Sequence, residues 1–345
     1  MEIPQTISCK MQNMALFCAF LIVVIHCRPK YEPQTFAWWV NQFTGEGVAR
    51  IAVPYFFAAS GYVAAAKYNG YSALVLKRLR TLLVPFTIWS MLFLFFCIVA
   101  RWLYAGQAAP LIVEGFNSPL LLIKMLGFWP MGMPLLTPLW YVRALLFLTL
   151  LFPILRRCVK SFGLAWLVAV FFLYSIRVVS FASPWWNGIQ TFAWCGLLPV
   201  EGLVYYSFGI WLCYHMNVIY NDRKNVCVVS LIFGLGIAAM RSACFISGHY
   251  ASSHALKYMM IPFLLLGVWG IVSDRRFPRW LVSSSFGIYL IHEFALRLLN
   301  PICDAGHGVH QYFLKAVIAF FASLCVTVTI HRILPKVSAV LFGGR

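Results

Sequence analysis

Two histidines stand inside apolar runs of this chain. His26 closes the stretch Met14-Ala-Leu-Phe-Cys-Ala-Phe-Leu-Ile-Val-Val-Ile-His26, and His292 lies within Ser283-Ser-Ser-Phe-Gly-Ile-Tyr-Leu-Ile-His292-Glu293. An ionisable group in such surroundings is costly unless it faces a protein interior or a polar cavity. A neutral imidazole there is suited to taking the proton from a hydroxyl as that oxygen attacks an acyl carbonyl.

Three arginines extend the pattern. Arg50 opens the second apolar run, Arg143 sits a few residues inside another, and Arg241 closes a later one. Guanidinium groups hold anions by paired hydrogen bonds and stabilise a developing oxyanion. The plainer reading of Arg50 and Arg241 is snorkelling to lipid headgroups, which suits Arg143 less well. Glu201 needs a partner or a proton at mid-span depth. An arginine would serve, and so would a cavity shared with His292. Tyr289, one helical turn from His292, is placed to shape a polar patch or to line a pocket. Gly61 and Gly287 suit close helix contacts.

The elements that must carry these groups are membrane helices. The chain has 345 residues, 62% apolar and 10% charged, against about 25% charged in a soluble domain. At roughly 20 residues per crossing, about ten segments qualify: 11–28, 46–66, 82–103, 137–155, 161–179, 192–213, 226–244, 255–272, 283–300 and 311–331. The expected fold is an all-α polytopic bundle forming one unit over 1–345. With the N-terminus in the cytoplasm, 16 Lys/Arg fall on the inner side and 7 on the outer. That bias favours both termini inside. The loop 104–136 reads as a re-entrant or interfacial lid, with Trp129 and Trp140 at headgroup level. The same topology puts His26, Arg50, Arg143 and Arg241 near one depth on the outer side. His292 then lies about ten residues, roughly 15 Å, from the inner end of its span. The two histidines are therefore not expected to touch, and His292 reads as a supporting group.

The net charge of +18 comes from short clusters between apolar runs, without a basic stripe or aromatic-basic platform, so nucleic acid is not an expected partner. None of the 11 cysteines makes a C-x-x-C spacing, so neither a metal site nor a redox motif is expected. The first apolar run lacks a convincing cleavage site and reads as a retained span.

The order of these features resembles the membrane-bound acyltransferase 3 family, which includes bacterial cell-surface glycan O-acetyltransferases. Terminal His26 matches the family's opening span. Pro54-Tyr-Phe-Phe-Ala-Ala-Ser60-Gly61-Tyr62 resembles its phenylalanine-rich serine-glycine motif, and Lys77-Arg78-Leu-Arg80 running to Pro85 and Trp89 resembles its basic loop and helix start. Pro138-Leu-Trp140-Tyr-Val-Arg143 and Ser285-Phe-Gly287-Ile-Tyr289-Leu-Ile-His292 resemble two later segments. The family's Arg or Lys eleven residues before the histidine is here Ala15, with Lys10 the nearest upstream basic residue.

The resemblance implies transfer of an acetyl, or sometimes succinyl, group from acetyl-CoA or succinyl-CoA to a hydroxyl of a surface polysaccharide or its lipid-linked precursor. It implies a multi-pass protein of the bacterial cytoplasmic (inner) membrane, in contact with lipids, with no permanently bound cofactor. His26 would be the base, and Arg78 and Arg80 would meet the coenzyme phosphates. Two other readings compete. One is a transporter or flippase for an anionic glycolipid, with Glu201 or His292 as proton relay. The other, prompted by Ala15, is an inactive member of a glycan-assembly complex.

Overall fold

Helix α1 (Gln5–His26) starts six residues before the hydropathy boundary at 11. Its early turns lie along a loop: the Asn13 amide donates to the carbonyls of Ser273 and Arg275, both at 2.8 Å. This computed structural model describes residues 3–27, 35–105, 118–128, 134–179, 200–219, 224–303 and 308–344. Among them every regular element is helical.

After α1 come α2 (Phe36–Thr44), a 3₁₀ turn (Val48–Ile51) and α3 (Ala52–Ala66). Together these make one apolar stretch, Phe36–Ala66, long enough to cross a bilayer. Arg50 and Pro54 interrupt the pattern without breaking it. Arg50 sits on the 3₁₀ turn, and Pro54 falls in the first turn of α3, where a missing N–H costs nothing. Next are α4 (Tyr71–Arg78), a π turn (Leu79–Leu83), α5 (Val84–Ala105) and the short α6 (Pro119–Met125).

The segment 137–155 departs from expectation. It forms α7 (Leu139–Leu150) and then α8 (Phe152–Phe162), with Pro153 in the first turn of α8. Proline fits a first turn and cannot continue the preceding helix. α8 in turn bends by 120° into α9 (Leu164–Val179). There follow α10 (Val200–Ile219), α11 (Lys224–Ile246), α12 (Tyr250–Ile271), α13 (Arg279–Val282), α14 (Ser285–Cys303), α15 (Val309–Ile333) and α16 (Pro335–Leu341). By length and composition, five described helices or helix runs could cross a membrane, six with the bent pair, and α7 and residues 255–271 are shorter apolar helices. Much of the expected lid, including Trp129, lies outside the described residues.

Packing follows residue size. α3 crosses α10 so closely that a Cβ added at Gly61 would fall on the Tyr206 carbonyl oxygen, and one at Gly209 on that of Ala58. Small residues at a crossing let backbones approach in this way. α14 packs on α1 and α15, with Gly287 against Thr327. α16 returns to α5, where the Trp89 indole donates to the Leu341 carbonyl at 2.9 Å. Phe95, Phe172, Ile232 and Phe233 stay exposed on the outside, an apolar shell suited to lipid rather than water.

Candidate functional site

The last residue of α1 meets the middle of α14. The His26 and His292 rings lie 5.1 Å apart between centroids, tilted by 53°. This corrects the expectation that different depths keep them apart. The reason is register. Asn13 fixes α1 against the loop from which α13 and α14 climb, and only 13 residues, about 20 Å, separate Asn13 from His26.

Glu293, next to His292, completes the group. Its Oε2 is 3.8 Å from His26 Nδ1, and the two side chains are 16% and 20% exposed. Its other oxygen, Oε1, accepts from Arg297 Nε at 3.3 Å, and the Arg297 guanidinium lies over the Phe93 ring at 4.7 Å. A carboxylate beside an imidazole fixes the ring's orientation and stabilises the imidazolium that forms when the ring takes a proton. Glu293 and Arg297 were missed from the sequence. Their signal was the i,i+4 pairing of opposite charges in an apolar helix.

His292 is fully buried. Its Nδ1 is 3.3 Å from the Ile288 carbonyl of its own helix, while Nε2 has no hydrogen-bond partner among the described residues. Tyr289, one turn away, donates to the Pro138 carbonyl at the start of α7. Its ring lies 5.9 Å from Tyr141 and 6.2 Å from His292. Tyr289 thus joins α14 to the Trp140–Arg143 segment. Arg143, half-buried, donates from Nη1 to the Gly127 carbonyl at 3.0 Å. Gly127 follows the C-terminus of α6 in a left-handed conformation, φ +81°, where glycine is favoured. A cation beside a helix C-terminus is also favourably placed.

Ligand atoms of His26, His292 and Glu293 all lie within 4.8 Å of one another. Two imidazoles and a carboxylate form a set that zinc accepts, but a tetrahedral ion with bonds near 2.0–2.2 Å needs donors only about 3.3 Å apart. The present spacing is wider than that, and Glu293 is engaged by Arg297, so the three groups read as a charge-paired cluster rather than a closed metal site.

Arg50 and Arg241 belong to a second cluster. Arg50 Nη2 is 2.6 Å from both carboxylate oxygens of Glu46. Arg241 is 4% exposed and donates to the Gln42 carbonyl at 3.2 Å. The charges of Glu46, Arg50, Arg241 and Glu201 all act on Lys257 of α12. The charge that acts on His292 is that of Glu293 and not of Glu201, which lies in the first described turn of α10.

The basic loop lies beyond the far end of α3. Arg78 is half-buried and Arg80 exposed. Arg78 immediately precedes the π turn and Arg80 lies within it, a feature common at functional sites. The charge of Arg78 acts on Tyr206. Arg156 stacks over Tyr68 at 4.6 Å and donates to the Tyr214 hydroxyl. Ala15 is half-buried against the core of the bundle. Lys10 does not take its place beside His26, because its ammonium lies 5.4 Å from the Trp269 ring centre. Lys315, buried in α15 one turn after Tyr312, is a further cation that sequence reasoning left unassigned.

The sequence profile of an acyltransferase domain matches residues 14–332, nearly the whole chain. The chain belongs to the acyltransferase 3 family. It is also similar to the succinoglycan biosynthesis protein ExoH of Rhizobium meliloti (strain 1021). The two are 25% identical over 366 aligned positions covering 98% of this chain and 93% of that protein. No solved structure matches the chain. Family membership and the helical, apolar architecture make this a membrane acyltransferase-type protein, and the similarity to ExoH supports action on glycans.

Proposed function

We propose that the protein transfers an acyl group, acetyl or succinyl, from acyl-coenzyme A to a hydroxyl of a surface polysaccharide or lipid-linked glycan. The His26–Glu293 pair is the observation that carries this reading. His26 takes the proton of the acceptor hydroxyl, and that oxygen attacks the thioester carbonyl. The tetrahedral intermediate collapses, the carbon–sulfur bond breaks, and the departing thiolate takes the proton back from the imidazolium. Glu293 holds the ring for both transfers, and Arg297 holds Glu293. His292, Tyr289 and Arg143 line and brace the site, and a guanidinium or backbone N–H group meets the oxyanion.

The bundle sits in the bacterial inner membrane with both termini in the cytoplasm and about ten spans, as the 16-to-7 charge bias favours. Arg78 and Arg80 then face the cytoplasmic pool of coenzyme A and meet its phosphates. Mass spectrometry of surface glycans from cells with and without the gene tests the reading. Loss of one acyl mass per repeat is expected, and its size separates acetyl from succinyl. Unchanged glycans would overturn it.

A second reading draws on Ala15 and on Lys10 being held at Trp269: an inactive member acting within a glycan-assembly complex. Deletion would then reduce the amount of glycan and leave its acylation unchanged.

A further inference from the structure

The cluster around Arg241 has a composition that its own members do not satisfy. Among the described residues three cations, Arg50, Arg241 and Lys257, stand among two carboxylates, Glu46 and Glu201. Glu46 is engaged with Arg50 through both oxygens. Arg241 is 4% exposed, yet among the described residues its Nε–H has no hydrogen-bond partner, and neither has the buried Nε–H of Arg50. A buried guanidinium edge left unpaired is costly. Its fork geometry matches a carboxylate or a phosphate.

The placement also points to a reactant. α2 packs on α11, the 3₁₀ turn packs on both α12 and α1, and α9 packs on α10 and α12. The Thr44 hydroxyl at the end of α2 is 3.2 Å from the Tyr312 hydroxyl, and Tyr312 in turn donates to the Val24 carbonyl two residues before His26. The cluster is thus tied to the end of α1 that carries the base. The basic loop of Arg78 and Arg80, suited to the donor's phosphates, lies beyond the opposite end of α3. Beside Lys257 the half-buried Tyr258 ring packs edge-to-face with Tyr174 at 4.6 Å, with the ammonium 5.8 Å from its centre.

We propose that Arg241, Arg50 and Lys257 form an anion-recognition site for a carboxylate or phosphate carried by the carbohydrate acceptor. The word acceptor rests on the proposed function, but the binding site does not. The test uses full-length protein in nanodiscs and follows the melting temperature against added glucuronate, glucose 1-phosphate, glucose and succinate. At least one charged sugar should raise it in a dose-dependent way while glucose does not. Arg241→Gln and Lys257→Met should each weaken the response about tenfold or more, and Arg241→Lys should weaken it less than Arg241→Gln. A response to glucuronate alone assigns a carboxylate, and one to glucose 1-phosphate alone assigns a phosphate.

Equal effects of charged and neutral sugars would overturn the proposal, as would a response unchanged in both variants. Succinate acting as strongly as the charged sugars would remove the carbohydrate assignment. Should Arg241→Gln fail to fold, Lys257→Met decides. The His26→Ala variant should keep the full response. A protein that binds the charged sugar in this way but transfers no acyl group would retain the anion site and lose the proposed function.

Discussion

The imidazoles of His26 and His292 face each other at 5.1 Å across the seam between α1 and α14, and their surroundings differ. His292 is sealed in the core against its own helix's carbonyl, whereas His26 is partly open and has the Glu293 carboxylate beside Nδ1. A ring that exchanges protons with a substrate needs both access and a group that stabilises its charged form. Only His26 has the two together. His26→Ala should lower transfer by about 10²–10⁴-fold with unchanged abundance in the membrane fraction. Near-normal turnover at normal abundance would remove it from the role of base.

Glu293 acts through His26 rather than on substrate, so its replacement should show in turnover. Glu293→Gln keeps the size and one acceptor oxygen but loses the charge. We expect kcat to fall at least about tenfold while KM for the acyl donor stays within about twofold. Glu293→Asp should recover part of the loss. A change confined to KM would place Glu293 in donor binding instead.

The same three side chains could be read as a metal site, and the two readings part under chelation. Pre-incubation with EDTA should leave the transfer rate unchanged, because a base held by a carboxylate has no ion to lose. Loss of activity on chelation, restored by added zinc, would replace the general-base account with metal-assisted attack.

Arg143 reaches the Gly127 carbonyl and so ties α7 to the end of α6. A lysine there supplies charge but not a planar, two-edged donor. Arg143→Lys should therefore reduce transfer and increase proteolytic cutting around residue 127. Full activity with an unaltered digestion pattern would leave Arg143 an electrostatic role alone.

Helical class was legible because apolar runs of about 20 residues have few other uses, and the end at Ile246 and both edges of Val309–Ile333 lie within two residues of the hydropathy boundaries. His26, Tyr289 and His292 were singled out by type and position, but their meeting was not foreseen. Depth was counted for His292 from the inner end of its own span and for His26 from the outer end of the first, whereas Asn13, a polar residue inside the helix, sets the register by binding the loop at 273–275. Glu293 was hidden beside the more conspicuous His292. Lys257, near the outer end of the expected span 255–272, was counted only among the outer-side charges and not singled out; α12 begins at Tyr250 and carries it inside the helix. These failures share a cause: helix periodicity gives faces, while the sliding of one helix along another is set by single polar contacts.

Two helix crossings give the last prediction, because their obstacles differ in kind. At Gly61 and Gly209 an added methyl would meet the backbone carbonyls of Tyr206 and Ala58, whereas at Gly287 it would meet the side chain of Thr327. Overpacking of this type costs about 1–3 kcal/mol. Gly61→Ala and Gly287→Ala should both lower the melting temperature and the folded yield. Thr327→Ala should restore much of the loss in the Gly287→Ala background, since it removes the atoms in the way. It gives up only the hydroxyl's bond to the Ser323 carbonyl. No side-chain truncation at Tyr206 should rescue Gly61→Ala, because the obstructing oxygen belongs to the main chain. Rescue of Gly61→Ala by Tyr206→Ala, read in the same melting assay, would show that α3 and α10 do not cross on their backbones.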